Sequence, residues 1–127
     1  MSQPPSGIVF AAGGEWGAYS QVEMARLAQA VEVTPLAVRI LFAALGRHDR
    51  SGHARFRPGE LARILGSIDV ATGEFRAARH DVVSKALGTA KRLGYLSEES
   101  AARCLVVPRT AFQKRHGRIE DCQFHAA

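Results

Sequence analysis

The residues with the clearest capacity for chemistry are the cations of the segment 76–93 and of the residues that follow it. Between Phe75 and Tyr95 the chain carries five arginines or lysines against one acid, Asp81, and segment 103–118 carries five more cations and no acid. Arginine can bind guanine O6 and N7 with two donors at once, whereas lysine supplies charge without planar geometry. With a formal net charge of +5, this distribution favours a polyanionic partner.

The positions of these residues on a predicted helix over 76–93 suggest a division of labour. The early residues of a helix in the major groove reach base edges, so Arg79, His80 and Ser84 are the candidates for reading bases. The remaining candidates for DNA contacts are Arg76, Lys85, Lys91, Arg92, Arg103 and Arg109, and we expect Lys85, Lys91 and Arg92 to bind phosphates. The alternative interpretation is the solvated face of an ordinary surface helix.

Cys122 and His125, with His116 nearby, are of the residue types that bind zinc. Three candidates close in sequence are too few for a structural site, so we expect a frayed tail, no metal and no cofactor, while leaving open whether Cys122 and His125 bind metal.

Other groups give little reason to expect an enzyme. His48, Asp49 and His53 could suggest acid–base chemistry, but polar residues also collect in turns. Cys104 lies in an apolar run and is expected to be a core residue. The phosphate-binding loop, metalloprotease and serine-hydrolase motifs do not occur in the sequence.

The elements that must position these residues can be predicted from caps and periodicity. Ser20 and Glu23 form a capping box that predicts a helix over 21–31. Thr34 as a cap and Pro35 predict a central helix that ends at Gly46. Residues 53–56 predict a short strand able to pair with a later hairpin.

The second half predicts a helix, a connector, a longer helix and a hairpin. Residues 57–65 have proline near the helix start and Gly66 at its stop, and 67–74 is a connector. In 76–93 apolar residues recur with helical spacing, and we expect Leu87, like Leu41 of the central helix, to be buried. Residues 95–96 and 103–107 flank a polar tip, as in a hairpin.

This order predicts a mainly α fold with a small β-hairpin, a winged helix-turn-helix. We expect a flexible arm over 1–18, the winged helix-turn-helix domain with an extra N-terminal helix over 19–108, and a basic tail over 109–127. At 127 residues and 46% hydrophobic, one domain is expected.

Segments 52–56, 58–62, 82–86, 94–96 and 102–108 resemble small winged-helix DNA-binding proteins of actinobacterial phages and mobile elements. The resemblance covers roughly residues 34–108 and implies a helix-turn-helix regulator, or a role in replication initiation or excision. The chain departs from this pattern at the tip, where Glu98 and Glu99 stand in place of cations. We therefore expect the tip to face away from DNA and Arg103 and Arg109 to make the contact.

The sequence thus predicts a sequence-specific, double-stranded DNA-binding transcriptional regulator, cytoplasmic and nucleoid-associated, with no membrane segment and no enzymatic activity. The alternatives are a winged-helix protein-interaction module and an accessory factor in replication or excision. We expect a homodimer on DNA, paired through the helix over 21–31, unless that helix completes the monomer core.

Overall fold

The computed structural model describes residues 10, 13–15, 17–31, 35–112 and 122–125. These residues form a mixed domain of four helices and two small antiparallel two-stranded sheets, which confirms the expected combination of helices with a small β element. The helices are α1 (Gln21–Ala28), α2 (Leu36–Leu45), α3 (Glu60–Ile64) and α4 (His80–Arg92). The strands are β1 (His53–Arg55), β2 (Ser67–Ile68), β3 (Phe75–Arg76) and β4 (Cys104–Val106), followed by a 3-10 helix, Arg109–Ala111.

The starts of the first two helices follow local capping chemistry. The Ser20 hydroxyl accepts a hydrogen bond from the Glu23 backbone N–H at 3.2 Å, which confirms the predicted cap. The Glu23 carboxylate pairs with Arg26, and the helix ends at Ala28, three residues before the predicted end. Helix α2 ends before Gly46 as expected. Its N-cap is Pro35, one residue after the proposed cap Thr34, which lies outside the described residues.

Helix α2 is the central helix of the core, because it packs against α1, α4 and β1. Its most deeply buried apolar residues are Ile40 and Ala44, with Val83, Ala86 and Ala90 facing the core from α4. Leu41 and Leu87 are only half-buried, so the prediction that both are buried is wrong. The apolar stripe of each helix is broad. The residues that face the core directly are the neighbours of these leucines, Ile40 in α2 and Ala86 in α4.

One buried residue of α2 is charged. Arg39 is 2% exposed, and its guanidinium donates to the carbonyls of Ala28 at 2.9 Å, Ile64 at 2.7 Å and Gly66 at 3.0 Å. These carbonyls lie at the C-terminal ends of α1 and α3, where helices leave acceptors unsatisfied and carry partial negative charge. Arg39 therefore joins three helices through their backbone.

The first sheet pairs β1 with β4, as predicted for the strand over 53–56. The expected hairpin partner, residues 95–96, forms no strand, because the backbone N–H groups of Tyr95 and Leu96 both donate to Ala90 O of α4 and the chain bends there. The polar tip 97–100 is held instead by hydrogen bonds from Ser97 N to Val106 O at 2.9 Å and from Val106 N to the Ser100 hydroxyl at 2.8 Å. The predicted two-stranded hairpin is therefore reduced to a compact turn before β4.

The predicted connector over 67–74 is a second hairpin, formed by β2 and β3. The Asp69 carboxylate accepts from the N–H groups of Ala71 and Thr72, and this Asx-type turn reverses the chain. Because β3 takes up Arg76, α4 begins at His80, not at residue 76 as expected. Helix α3 is likewise shorter than predicted, starting after Gly59, which has a φ of 75°.

Most of the expected arm over 1–18 and of the tail over 109–127 lies outside the described residues. Within the described part of the chain, no helix combines the length and the apolar character needed to cross a bilayer.

Candidate nucleic-acid interface and a histidine–cysteine cluster

Helix α4 has one face in the core and one face in solvent. Val83, Ala86 and Ala90 are buried, while residues spaced by three or four positions on the opposite side are exposed. The exposed face consists of Asp81, Ser84, Lys85, Gly88 and Arg92. A Cβ added at Gly88 would meet no described atom within 4 Å, so the surface is open at the middle of the helix.

The three candidates for reading bases lie at the beginning of α4 and are all exposed. Arg79 occupies the N-cap position with extended backbone, His80 is the first helical residue and Ser84 follows one turn later. Arg79 makes a two-point contact with Asp81, at 2.9 Å and 3.2 Å. Since these side chains are 80% and 65% exposed, the pair is weak and can open to another partner.

The remaining candidates for DNA contacts divide into two groups. Lys85, Arg92 and Arg109 are exposed, and Arg76 is exposed beside Asp69 at 3.5 Å. Two other cations donate hydrogen bonds to backbone carbonyls of the domain, which makes them weaker candidates for DNA contacts. The Lys91 ammonium donates to Ser100 O at 3.2 Å, and Arg103 Nε donates to Phe56 O at 2.9 Å.

A different cluster forms on the outer side of the first sheet. The Sγ atoms of Cys104 and Cys122 lie 3.4 Å apart, and each also contacts an imidazole: His53 Nδ1 is 3.5 Å from Cys104, and His125 Nδ1 is 3.4 Å from Cys122. One ligand atom from each of the four residues lies within 4.8 Å of all the others. Both cysteines are free thiols. The cluster can therefore act as a set of four metal ligands.

Sheet register explains why His53 and Cys104 meet. Arg55 is directly opposite Cys104, and His53 lies two residues from Arg55, so alternation places all three on one face of the sheet. Ala54 and Leu105 lie on the other face, in the core. Segment 122–125 covers the outer face, which explains why Cys104 is fully buried although β4 belongs to a two-stranded sheet. This packing corrects the expectation of a frayed tail.

The surroundings of the two thiols favour a single shared negative charge. Burial, with the neighbouring Cys122, raises the pKa of Cys104 to about 12. Partial burial also opposes ionisation of Cys122, but hydrogen bonds from the two histidines outweigh it and lower the pKa of Cys122 to about 6. On the other side of the ring, His125 Nε2 donates to the Glu99 carbonyl at 2.6 Å, which fixes the orientation of the imidazole.

Only the C-x-x-H spacing of Cys122 and His125 was visible in the sequence. His53 was assigned to a possible acid–base group and Cys104 to the core, and His116, the third candidate, lies outside the described residues. The signal that could have placed His53 and Cys104 together was the predicted pairing of their two strands, since side chains along each strand alternate between the two faces of the sheet.

His48 and Asp49, the other residues considered for acid–base chemistry, make hydrogen bonds that support the fold. Buried His48 has Tyr19 Oη 2.5 Å from Nε2 and Asp49 O 2.9 Å from Nδ1. Burial raises the pKa of Tyr19. Although partial burial opposes its ionisation, hydrogen bonds from Ser51 and Arg55 lower the pKa of Asp49, whose carboxylate organises the turn.

An open cleft of about 560 Å³ lies beside segment 122–125. Its lining consists of Arg47, Arg55, Phe56, Arg57, Pro58, Glu60, Arg103, Gln123 and Phe124. Arg47 stacks on Phe56 and pairs with both Glu60 oxygens at 2.8 Å. These internal contacts make the cleft a weaker candidate for anion binding than the face of α4.

Comparisons with protein-family models, curated proteins and solved structures found no match to this chain.

Proposed function

We propose that the chain binds double-stranded DNA through the exposed face of α4 and acts as a sequence-specific regulator that occupies a promoter-proximal site. The observation that carries this proposal is the division of α4 into an apolar face anchored in the core and an exposed face with Lys85 and Arg92. Arg79 and His80 extend the exposed surface at its N-terminal end.

The dimensions of α4 suit this role. Its 13 residues extend about 20 Å at 1.5 Å per residue, and the major groove, about 12 Å wide, admits one α-helix. Gly88 lies in the middle of the exposed face and presents backbone without a side chain. Glycine is unfavourable inside a helix, so its position there fits a close approach of another surface.

The arrangement around α4 supports a winged helix-turn-helix with an enlarged turn. We assign α3 and α4 as the helix pair. A hydrogen bond from Ala78 N, two residues before α4, to Ala62 O of α3 holds the start of α4 near α3 at 2.9 Å. The β2–β3 hairpin would be an insertion in the turn, and β1 and β4 would form the supporting sheet. In this assignment Glu98 and Glu99 face away from DNA.

The alternative function is a protein-interaction module. It is favoured by the β2–β3 hairpin, where Ile68, Val70 and Phe75 are 51%, 100% and 55% exposed. Exposed apolar side chains close together are a feature of protein interfaces. The experiments below separate the two functions.

The first test is enrichment of genomic fragments by the purified full chain, followed by sequencing. The DNA-binding proposal expects one enriched motif. Failure to enrich DNA even at low salt would overturn it in favour of the protein-interaction module.

The second test locates the interface with matched charge removals. Lys85→Gln and Arg92→Gln should each weaken binding to the enriched site by roughly 3- to 10-fold and reduce the slope of log K against log salt by about 0.9. Arg26→Gln removes the same charge from the exposed surface of α1 and should leave both values unchanged. Equal losses in all three variants would indicate nonspecific attraction and contradict the role of α4.

A third measurement concerns base reading. Arg79→Ala should reduce the free energy of binding to the preferred DNA site by about 1 to 3 kcal/mol and relax the sequence preference at one base pair. If the variant instead lost the same affinity for every DNA sequence, Arg79 would be a phosphate contact.

The proposed homodimer stays a prediction. Helix α1 packs on α2, and the Gln21 amide donates to the carbonyls of Leu45 and His48 at 3.1 Å. This packing favours the alternative that α1 completes the monomer core. Light scattering of the complex with one mapped DNA site should then give one chain per DNA duplex, and two chains per duplex would restore the dimer.

A further inference from the structure

We propose that His53, Cys104, Cys122 and His125 form a structural zinc site that fastens the segment 122–125 to the β1–β4 sheet. The inference reverses our expectation from sequence that no metal is bound, and it is independent of DNA binding.

The distances between the ligand atoms fit zinc. Zinc bound to two thiolates and two imidazoles lies about 2.3 Å from sulfur and about 2.0 Å from nitrogen, so a tetrahedral site separates sulfur from nitrogen by roughly 3.5 Å and the sulfurs by roughly 3.8 Å. Two sulfur–nitrogen distances are 3.5 Å and 3.4 Å, and the sulfurs are 3.4 Å apart. All four ligand atoms lie within 4.8 Å of one another, so shifts of roughly 1 Å would bring them around a common tetrahedral centre.

The ligand types select the metal. Two cysteines and two histidines are a set typical of structural zinc, whereas magnesium and calcium prefer oxygen ligands. Four protein ligands also fill a tetrahedral shell, which leaves no open position for a substrate. Cys104 is fully buried, consistent with a closed site.

The groups around the cluster support the same assignment. A histidine that binds metal usually donates its other ring N–H to a carbonyl or carboxylate, which fixes the ring. His125 has this arrangement, with Nε2 at 2.6 Å from Glu99 O. The rings of His53 and His125 meet edge to face with their centroids 4.8 Å apart, so the two imidazoles are direct neighbours.

The site would join parts of the chain that are far apart in sequence. It links β1, β4 and a segment 18 residues beyond Cys104, and Glu99 ties the turn before β4 to His125. Since metal binding free energy contributes to folding, zinc would hold segment 122–125 over Cys104 and stabilise the sheet beneath it.

The first experiment measures the metal in untagged full-length protein purified under reducing conditions. We expect about one zinc per chain by mass spectrometry of the elements, released when a mercurial reagent blocks the thiols. Replacement by Co²⁺ should give the intense d–d absorption of a tetrahedral site and a thiolate-to-cobalt charge-transfer band. Protein with no zinc and no such bands would overturn the proposal, as would a Cys104–Cys122 disulfide in the reduced preparation.

The second experiment tests the ligands with variants in the segment 122–125. Cys122→Ser and His125→Asn should lower the zinc content from about one to near zero and abolish the melting-temperature decrease that a chelator causes in the parent. His125→Cys replaces one zinc ligand by another and should keep the metal with a stronger charge-transfer band. Gln123→Ser, an exposed position in the same segment, is the matched control and should behave like the parent.

Full zinc content in His125→Asn with an unchanged cobalt spectrum would exclude His125 as a ligand and overturn the four-residue site. If a ligand variant fails to fold, the cobalt spectrum and the thiol-linked zinc release of the parent still decide the proposal. None of these measurements involves DNA, so failure of the DNA-binding proposal is distinguishable from failure of this one.

Discussion

Helices α2 and α4 use their positive charge in opposite ways. Five of the ten residues of α2 are buried, including its one cation, Arg39, whose guanidinium binds backbone carbonyls of two other helix ends. Three of the thirteen residues of α4 are buried, all apolar, and Lys85 and Arg92 extend into solvent. A cation in the sequence is therefore evidence of a binding surface only when the fold leaves it on the outside.

Lys91 and Arg103 lie between these extremes. Both are partly buried and donate to backbone carbonyls, although both belong to the basic part of the chain that suggested DNA binding. Fewer residues are therefore available for the proposed DNA interface than the sequence suggested.

The largest expected effect is the loss of the buried guanidinium. Arg39→Met should lower the free energy of unfolding by about 3 to 5 kcal/mol, because several buried carbonyls lose a charged donor at once. Denaturant unfolding measures this value. Arg92→Met, the matched change on α4, should stay within about 0.5 kcal/mol of the parent, and similar losses in both would remove the distinction between the helices.

The next effect concerns Gly46, where α1 and α2 approach closely. A Cβ at Gly46, at the end of α2, would lie 2.6 Å from Ala25 N in α1, so Gly46→Ala should force the helices apart and cost about 1 to 3 kcal/mol. Thermal and denaturant unfolding both report this loss. A variant as stable as the parent would show that α1 and α2 can separate freely.

A smaller effect concerns two ion pairs that differ in exposure, Arg47–Glu60 and Arg79–Asp81. Hydrogen bonding to Arg47 lowers the pKa of Glu60 from 4.5 to about 2. Because the folded-state pKa is depressed, the stabilisation is complete above about pH 5 and is lost as pH falls toward 2. Glu60→Gln should cost about 1 kcal/mol at pH 7, a value reduced for the partial exposure of the pair.

The measurement is the free energy of unfolding of parent and variant across this pH range, where the two curves should converge in acid. Asp81→Asn, which opens the more exposed pair at the start of α4, should show a smaller difference. Equal pH dependence in both variants would mean that exposure does not separate the pairs.

The smallest effect is a gain in stability. Gly88→Ala adds a methyl group where nothing described lies within 4 Å, and alanine is the better helix former, so unfolding should become less favourable by about 0.5 to 1 kcal/mol. The same change should weaken DNA binding if the backbone approaches the groove closely. Greater stability with unchanged DNA affinity would place the contact elsewhere on the helix.

The local elements were predictable because their causes are local. The Ser20 cap, the end of α2 at Gly46 and the strand beginning at His53 depend on neighbouring residues and on regular spacing. The hairpin of β2 and β3 was missed because its strands have two residues each, too few to show alternation.

By itself the sequence determined the helical segments of the core and the concentration of cations between residues 76 and 118. The tertiary structure decided which of those cations face solvent, because exposure depends on the elements that pack around each side chain. It also decided that His53 and Cys104 meet Cys122 and His125. That meeting depends on antiparallel pairing across about fifty residues and on the return of the chain to the sheet, and neither event leaves a local pattern in the sequence.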